Sequence, residues 1–410
     1  MTFTEPRFRP LLGLLQDHFR EERYSDGTVW NYPVAVRRFL RALERRGLTM
    51  ETVTAADVDR HLDSLRLRRY RGPFPDHSRR MHRAAIQMLL RLVRGKWPPE
   101  VVPTTAHEIA DRKIVDAYDA WMSELRGLAA STRRHNRCET HRLLQWLRGQ
   151  QKSVATVCVA DLDAYIAWRS AAMRRTSIAA MTCTLRGVLR YLHGSGRLPE
   201  DLAGEINGPP IYALESIPST IRVEDVQRAL KATRLDRSPL GRRDYAILML
   251  LSTYGLRGGE LMALRLLDID WRHERLHIRH SKTGAHSELP LLRGPADALL
   301  DYLKYARPAT PAREVFIRMC APYRALMSHA ALYQMLTRRL AAVGVSLTGK
   351  RGAHVLRHSR AVSLMRGGVP LKVIGDVLGH RSERSTSAYL KLATEDLRAV
   401  ALDLPAGVSP

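Results

Sequence analysis

LLDIDWRHERLHIRHSKTGAHSELPLL, residues 266 to 292, interrupts a chain whose apolar residues otherwise recur at helical spacing. The stretch alternates β-branched or aliphatic residues with polar ones. It is broken twice, at Arg272-His273-Glu274 and at Lys282-Thr283-Gly284. Period-two runs separated by short turn-forming clusters predict a three-stranded antiparallel meander. Upstream, a helix start at Ser219-Thr220-Ile-Arg-Val-Glu-Asp-Val-Gln precedes the apolar helix YAILMLLSTYG, which ends at Gly255. From about residue 295 the helical period returns and is expected to hold to the C-terminus. Residues 217 to 410 should therefore be helices around a small antiparallel sheet, an α+β domain.

Two proline-rich breaks, KWPPEVVPTT at 96 to 105 and INGPPIYALESIPST at 206 to 220, separate this part from two earlier segments. Those segments read as copies of one another. In the first, SDGTVWNYPVAVRRFLRALERRG (25 to 47) is followed by TAADVDRHLDSL (54 to 65) and HSRRMHRAAIQMLLRLVRG (77 to 95). In the second, ASTRRHNRCETHRLLQWLRGQ (130 to 150) is followed by CVADLDAYIAWR (158 to 169) and TSIAAMTCTLRGVLRYLHGSG (176 to 196). Ala-Asp-Val-Asp at 56 to 59 and Ala-Asp-Leu-Asp at 160 to 163 lie 104 positions apart, as do Thr28 and Thr132. Phe39, Leu40 and Leu43 in one copy, and Leu143, Leu144 and Leu147 in the other, make apolar helix stripes. The expected organisation is multidomain and mainly α. A helical bundle spans 1–100, a second spans 105–207, and the α+β domain with its C-terminal tail spans 217–410. The competing reading joins the first two into one eight-helix domain.

Lys and Arg outnumber Asp and Glu by 66 to 41, a formal net charge of +25. Because the basic residues are spread through the sequence rather than packed into one tail, the charge favours a polyanion binder with nucleic acid as the expected partner, over a generally basic soluble or ribosome-associated protein. Arg79-Arg80, Arg133-Arg134 and Arg174-Arg175 suit phosphate contact, although such a pair is also what a solvated helix face carries. Cys138, Cys158, Cys183 and Cys320 are far apart and form no CxxC pair, so neither a disulfide framework nor a zinc site is expected. No metal ion and no other cofactor is expected. MTFTEPRFRP lacks a signal-peptide apolar stretch, and YAILMLL falls far short of the roughly 20 residues that span a bilayer. A cytoplasmic protein with no membrane partner is the expectation, and the alanine- and arginine-rich composition suggests a bacterial host.

Without a metal, cutting a phosphodiester requires fixed cations to stabilise the phosphorane, a general acid for the leaving oxygen and a covalent nucleophile. The third segment carries such groups. GLRGGELMAL (255 to 264) places Arg257 after a helix-ending glycine, with Glu260 three residues on, where its carboxylate can hold the guanidinium fork. AHVLRHSRA (353 to 361) puts His354 and Arg357 one helical turn apart, with His358 adjacent. LKVIGDVLGH (371 to 380) is a short helix with Pro370 at its start and Gly379 as a left-handed cap that presents His380. Ser382 is a candidate N-cap for a helix carrying Tyr389.

Taken in order, GLRGGEL, SKTGAHSELPL, HVLRH, LGH and a downstream tyrosine resemble the tyrosine recombinase, or phage integrase, family over roughly residues 217 to 395. The resemblance implies that Tyr389 is the nucleophile and that Arg257 and Arg357 clamp the non-bridging oxygens. It further implies that Lys282 is the general acid for the 5′-hydroxyl and that His354 and His380 donate hydrogen bonds and assist proton transfer. Glu260 and His358 would support them. The two helical repeats look like the family's SAM-like DNA-binding modules, and a second copy departs from its usual layout. The implied activity is site-specific recombination of double-stranded DNA through a 3′-phosphotyrosine link, in integration, excision or transposition, by a homotetramer or with related recombinases. An accessory relative that only binds its sites and a type IB topoisomerase-like nicking-closing enzyme are the alternatives. KLATEDLRAVALDL (391 to 404) is a helical tail, to dock on a neighbouring subunit or on its own domain.

Overall fold

The computed structural model describes residues 6–65, 76–100, 102–212, 219–280, 284–346 and 352–379. Lys282, His380, Ser382, Tyr389 and the tail lie outside the described residues. Two compact units are formed, residues 1–98 with 217–410 and residues 99–216.

In the first unit, α1 (Arg9–Glu21), α2 (Asp26–Glu44), α3 (Ala55–Ser64) and α4 (Asp76–Arg94) enclose a core that includes Leu15, Phe39, Leu62, Ile86 and Leu89. Its α2 stripe is Val36, Phe39, Leu40 and Leu43, all buried, at the three- and four-residue spacing that keeps one face inward. Helix α3 begins with a capping box. The Asp57 amide donates to Thr54 Oγ1 at 3.3 Å and the Thr54 amide to Asp57 Oδ2 at 3.0 Å. Hydrogen bonds from the Thr54 side chain and backbone, reinforced by Arg46, hold the Asp57 carboxyl down at about 2.

The second unit repeats this plan with α5 (Ala106–Glu124), α6 (Ala130–Gly149), α7 (Val159–Ser170) and α8 (Arg175–Gly194), around a separate core that includes Met122, Tyr165, Leu185 and Val188. The stripe of α2 recurs on α6 as buried Leu143, Leu144 and Leu147. The cap of α3 recurs on α7, where the Cys158 amide donates to Asp161 Oδ2 at 3.0 Å. The turn before it recurs as well: Thr49 N donates to Thr52 Oγ1 at 2.9 Å, and Ser153 N to Thr156 Oγ1 at 3.2 Å. Each copy also contains a leading helix, α1 or α5, outside the sequence repeat.

The interiors differ at matching positions. Where the first copy buries Ala35 and His61, the second buries Glu139 and Tyr165. The Tyr165 hydroxyl donates to Glu139 Oε1 at 2.7 Å, and Arg142 reaches Oε2 of the same carboxylate at 3.0 Å. Burial, then the Glu139 carboxylate, push the Tyr165 pKa up.

The remainder of the first unit is helices around a sheet. It contains α9 (Val223–Leu235), α10 (Pro239–Tyr254), α11 (Gly258–Ala263), α12 (Arg293–Tyr305), α13 (His329–Ala341), α14 (Ala353–Arg366) and α15 (Leu371–Leu378). Strands β1 (Ile269–Asp270), β2 (Arg275–Arg279) and β3 (His286–Pro290) form the expected antiparallel meander in the order β1-β2-β3, with Leu276 opposite Leu289 and Arg279 opposite His286. The apolar helix α10 is central and packs on α9, α12 and α14. Its Tyr254 hydroxyl donates to Pro290 O at 2.8 Å and accepts from Leu292 N at 3.0 Å, which ties the helix to the end of β3. Asp244, fully buried, joins α10 to α13 by accepting from Arg338 Nη2 at 2.7 Å and Arg339 Nε at 2.9 Å.

Two local expectations are corrected. Helix α9 starts at Val223 rather than at Ser219-Thr220, and Ile221 N donates instead to Ser359 Oγ at 2.7 Å. The helical period does not hold from 295 onward: between α12 and α13 the chain is irregular, with bridges from Arg265 to Glu314 and from Ile317 to Ala325. Pro308, Pro311 and Pro322 prevent a continuous helix there, and Val315, Phe316 and Ile317 are buried. No helix among the described residues is long and apolar enough to cross a membrane.

His61 gives the first bundle a pH dependence. Its ring is 6% exposed, lies edge-on to Phe39 at 5.2 Å, and has no hydrogen-bond partner on either nitrogen among the described residues. Burial, then the positive neighbours His82, Arg38, Arg45 and Arg46, push its pKa down to about 4. Folding therefore favours the neutral ring. The stability it contributes is complete above the ordinary histidine value and is lost as pH falls through the folded value, at about 1.4 kcal/mol per pH unit, for a total of roughly 3 kcal/mol. Urea unfolding of the wild type between pH 7 and pH 4 should show this loss, and His61→Leu should remove most of it.

Candidate active site

Helix α10 stops because Gly255 takes the left-handed conformation, with φ +65° and ψ +32°. The reversed chain makes Arg257 the N-cap of α11 and Glu260 its third residue. Glu260 holds Arg257 twice: Oε2 accepts from the Arg257 amide at 2.8 Å and Oε1 from Nη1 at 2.6 Å. A second guanidinium nitrogen of Arg257, Nη2, donates to Gly379 O at 3.3 Å. Burial raises the Glu260 pKa, but hydrogen bonds from His280 and from the backbone and side chain of Arg257 outweigh it, and the net direction is downward. Glu260 is thus a buried, ionised anchor for a guanidinium whose side chain remains 21% exposed.

Arg357 reaches the same place from α14. It is 3% exposed, and it donates through Nη1 to Gly255 O at 2.9 Å and through Nη2 to Leu378 O at 2.5 Å. It therefore joins the C-terminal ends of α10 and α15. Gly379, the cap of α15, is left-handed with φ +62° and ψ +48°. The two arginines converge on the last carbonyls of α15, one residue before His380 in sequence.

His354 lies one turn before Arg357 at the exposed rim, and its ring centroid is 6.3 Å from that of His358. Partial burial, then the charges of Arg357 and Arg257, lower its pKa and so favour the neutral ring. The structure brings together Arg257, Glu260, His354 and Arg357, with His358 beside them. Lys282, His380 and Tyr389, the other residues of the expected set, lie outside the described residues.

One neighbour of this set was missed in the sequence. His280, 4% exposed, places Nδ1 2.7 Å from Glu260 Oε1 and Nε2 2.7 Å from Ser287 Oγ. The signal was present: Leu276, Ile278 and His280 occupy alternate positions, and all three are buried. A histidine at an inward strand position needs polar partners.

The arginine pairs are distributed over both units. Arg79 on α4 is ion-paired with Asp63, while Arg80 is exposed. On α6, Arg133 lies 3.4 Å from Asp119, and Arg134 is exposed. Arg174 caps α8 and Arg175 begins it, both exposed. A cavity of about 580 Å³ between α5 and α6 is lined by Arg112, Arg133, Arg134, Arg137 and Arg148. Glu100, Asp111, Asp116 and Asp119 neutralise much of its charge. Among the described residues, no cluster of His, Cys, Asp and Glu has the makings of a metal site.

The family model for the phage integrase family matches residues 219–396, and that for the phage integrase N-terminal SAM-like domain matches 115–196. Two relatives from Sinorhizobium fredii (strain NBRC 101917 / NGR234) bear the name "Putative integrase/recombinase". One, y4gC, is 53% identical over 46% of this chain and 97% of its own length. The other, y4rF, is 33% identical over 96% of this chain and 91% of its own length. Among solved structures, XerH site-specific recombinase bound to palindromic difH substrate has a TM-score of 0.56 at 15% identity, over 73% of this chain and 89% of that one. A lambda integrase tetramer bound to a Holliday junction has a TM-score of 0.52 at 18% identity, over 79% and 88%. With a full-length relationship at 33% identity and the catalytic-domain match falling on the residues that carry both arginines, the chain belongs to the phage integrase family of tyrosine recombinases.

Proposed function

We propose that the protein is a site-specific DNA recombinase of the integrase or transposase type. It cuts and rejoins strands of double-stranded DNA through a 3′-phosphotyrosine intermediate. The observation that carries this reading is the convergence of Arg257 and Arg357 on the cap of α15. Two fixed guanidinium groups at one point supply the positive charge that a phosphorane requires, with no reorganisation during the reaction.

The roles are those that the family resemblance implies for these positions. Tyr389 Oη attacks the phosphorus, the bond to the 5′-oxygen breaks, and Lys282 protonates the departing oxygen. Arg257 and Arg357 hold the non-bridging oxygens, and His354 and His380 donate hydrogen bonds and relay the tyrosine proton. A tyrosine hydroxyl has a pKa near 10, so neighbouring cations are needed to make it reactive at neutral pH. The new phosphotyrosine bond replaces the one broken, and a 5′-hydroxyl from another strand reverses the step without ATP. Glu260 fixes Arg257, and His358 packs beside His354.

The division 1–100, 105–207 and 217–410 then assigns two helical modules and one catalytic domain to DNA. Arg80, Arg134, Arg174 and Arg175 are exposed and suit phosphate contact, and Arg79 and Arg133 are partly neutralised. Assembly is proposed as a homotetramer on two synapsed sites, alone or with related recombinases, in the cytoplasm of a bacterial host and on the nucleoid when DNA-bound. Integration, excision and transposition all fit this chemistry.

Two predictions follow from these roles. On a nicked substrate bearing the protein's own target site, wild type should form a denaturation-resistant adduct, and Tyr389→Phe should bind equally well but form none. Retention of cleavage by Tyr389→Phe would reassign the nucleophile. Arg257→Lys, which keeps the charge but loses the fork, should slow adduct formation by about 10²- to 10³-fold, the usual cost of one oxyanion donor, and leave the melting temperature nearly unchanged.

A further inference from the structure

His280 sits where three sequence motifs meet. Its Nδ1 lies 2.7 Å from Glu260 Oε1, the atom that also accepts from Arg257 Nη1 at 2.6 Å. Its Nε2 lies 2.7 Å from Ser287 Oγ on β3. Its backbone closes the β2–β3 hairpin from both sides, because His280 N donates to Ala285 O at 2.8 Å and Gly284 N donates to His280 O at 2.8 Å. Its ring also packs against Gly379: a Cβ at that glycine would lie 2.4 Å from Cε1 and 2.5 Å from Nε2. The third motif thus needs glycine both for its left-handed backbone and to leave room for this ring.

On the recombinase reading above, we propose that His280 is a positioning residue: it fixes the direction of the Arg257 guanidinium by holding Glu260. An ionised carboxylate only accepts, so Nδ1 carries the proton shared with Glu260. In the neutral ring Nε2 then accepts from the Ser287 hydroxyl, and the order Ser287, His280, Glu260, Arg257 forms one chain of hydrogen bonds. Without the Nδ1–H, the carboxylate keeps, among the described residues, only its bonds from Arg257 and can turn with it. The fork would then lose its fixed aim at the phosphate, and a misplacement of about 1 Å costs on the order of 10²-fold in rate.

The test measures the single-turnover rate of adduct formation at saturating DNA, with affinity and melting temperature in parallel. The probe is a nicked duplex carrying the target site. His280→Phe keeps the ring volume and removes both nitrogens, and it should slow adduct formation about 10- to 100-fold with affinity within about 3-fold of wild type. His280→Asn puts an amide N–H near the Nδ1 position and should recover most of that rate. In a cycle with Glu260→Gln, the second substitution should add little to the first. If His280→Phe fails to fold, Ser287→Ala takes its place, with an expected slowing of about 3- to 10-fold.

Adduct formation by His280→Phe at the wild-type rate would overturn the proposal. So would an Asn variant no faster than Phe, with both tracking a lowered melting temperature, because that is the result of a purely structural role. No adduct from wild type on any site would overturn the recombinase reading itself, and this role with it.

Discussion

Two guanidinium groups end on the last carbonyls of one short helix, and the catalytic domain is arranged to let them do so. Helix α15 offers the oxygens of Leu378 and Gly379 because its final turn has no further amides to pair with them. Arg357 must cross from α14, and Arg257 must leave α10 at a sharp reversal. Both requirements fall on glycines in the left-handed region, Gly255 and Gly379. Arg357 closes the circuit by bonding Gly255 O, so the two reversals are held by the same side chain.

This arrangement makes the site part of the core. Glu260 and Arg357 are nearly inaccessible, and each is paired, as burial of charge demands. Asp244 performs a similar service on the far end of α10, where Arg338 and Arg339 converge on it. The long apolar helix is thus pinned at both ends by charge, with hydrophobic packing between. The fold itself fixes the donors held this way, as the proposed electrostatic stabilisation of a phosphorane requires.

Much of this was legible in the chain. The meander could be read because β2 alternates cleanly and its two breaks are turn-forming. The helix repeat could be read because Phe39, Leu40 and Leu43 recur as Leu143, Leu144 and Leu147. Gly255 and Gly379 announced their helix ends. Two things were not legible. The segment from Ala306 to Ser328 has enough apolar residues to imitate a helix, yet three prolines and burial of Val315, Phe316 and Ile317 against the core decide otherwise. The inward position of His280 follows from the alternation with Leu276 and Ile278, but its partners Glu260 and Ser287 come together only when the strand is folded against α11.

The unlike interiors of the two helical copies bear on how the chain reaches its native state. Tandem repeats of one topology invite misassembly, in which an element of one copy docks on the other while both are forming. Here a misplaced α7 would bring the Tyr165 hydroxyl to Ala35, which has no acceptor, and would crowd a site sized for His61. It would also strip Glu139 of the hydroxyl it buries. The Glu139–Tyr165 pair therefore works as an identity tag. Its buried groups satisfy one another in the correct pairing and would lose their partners in the wrong one, which favours the separate folding of two copies of one architecture in a single polypeptide.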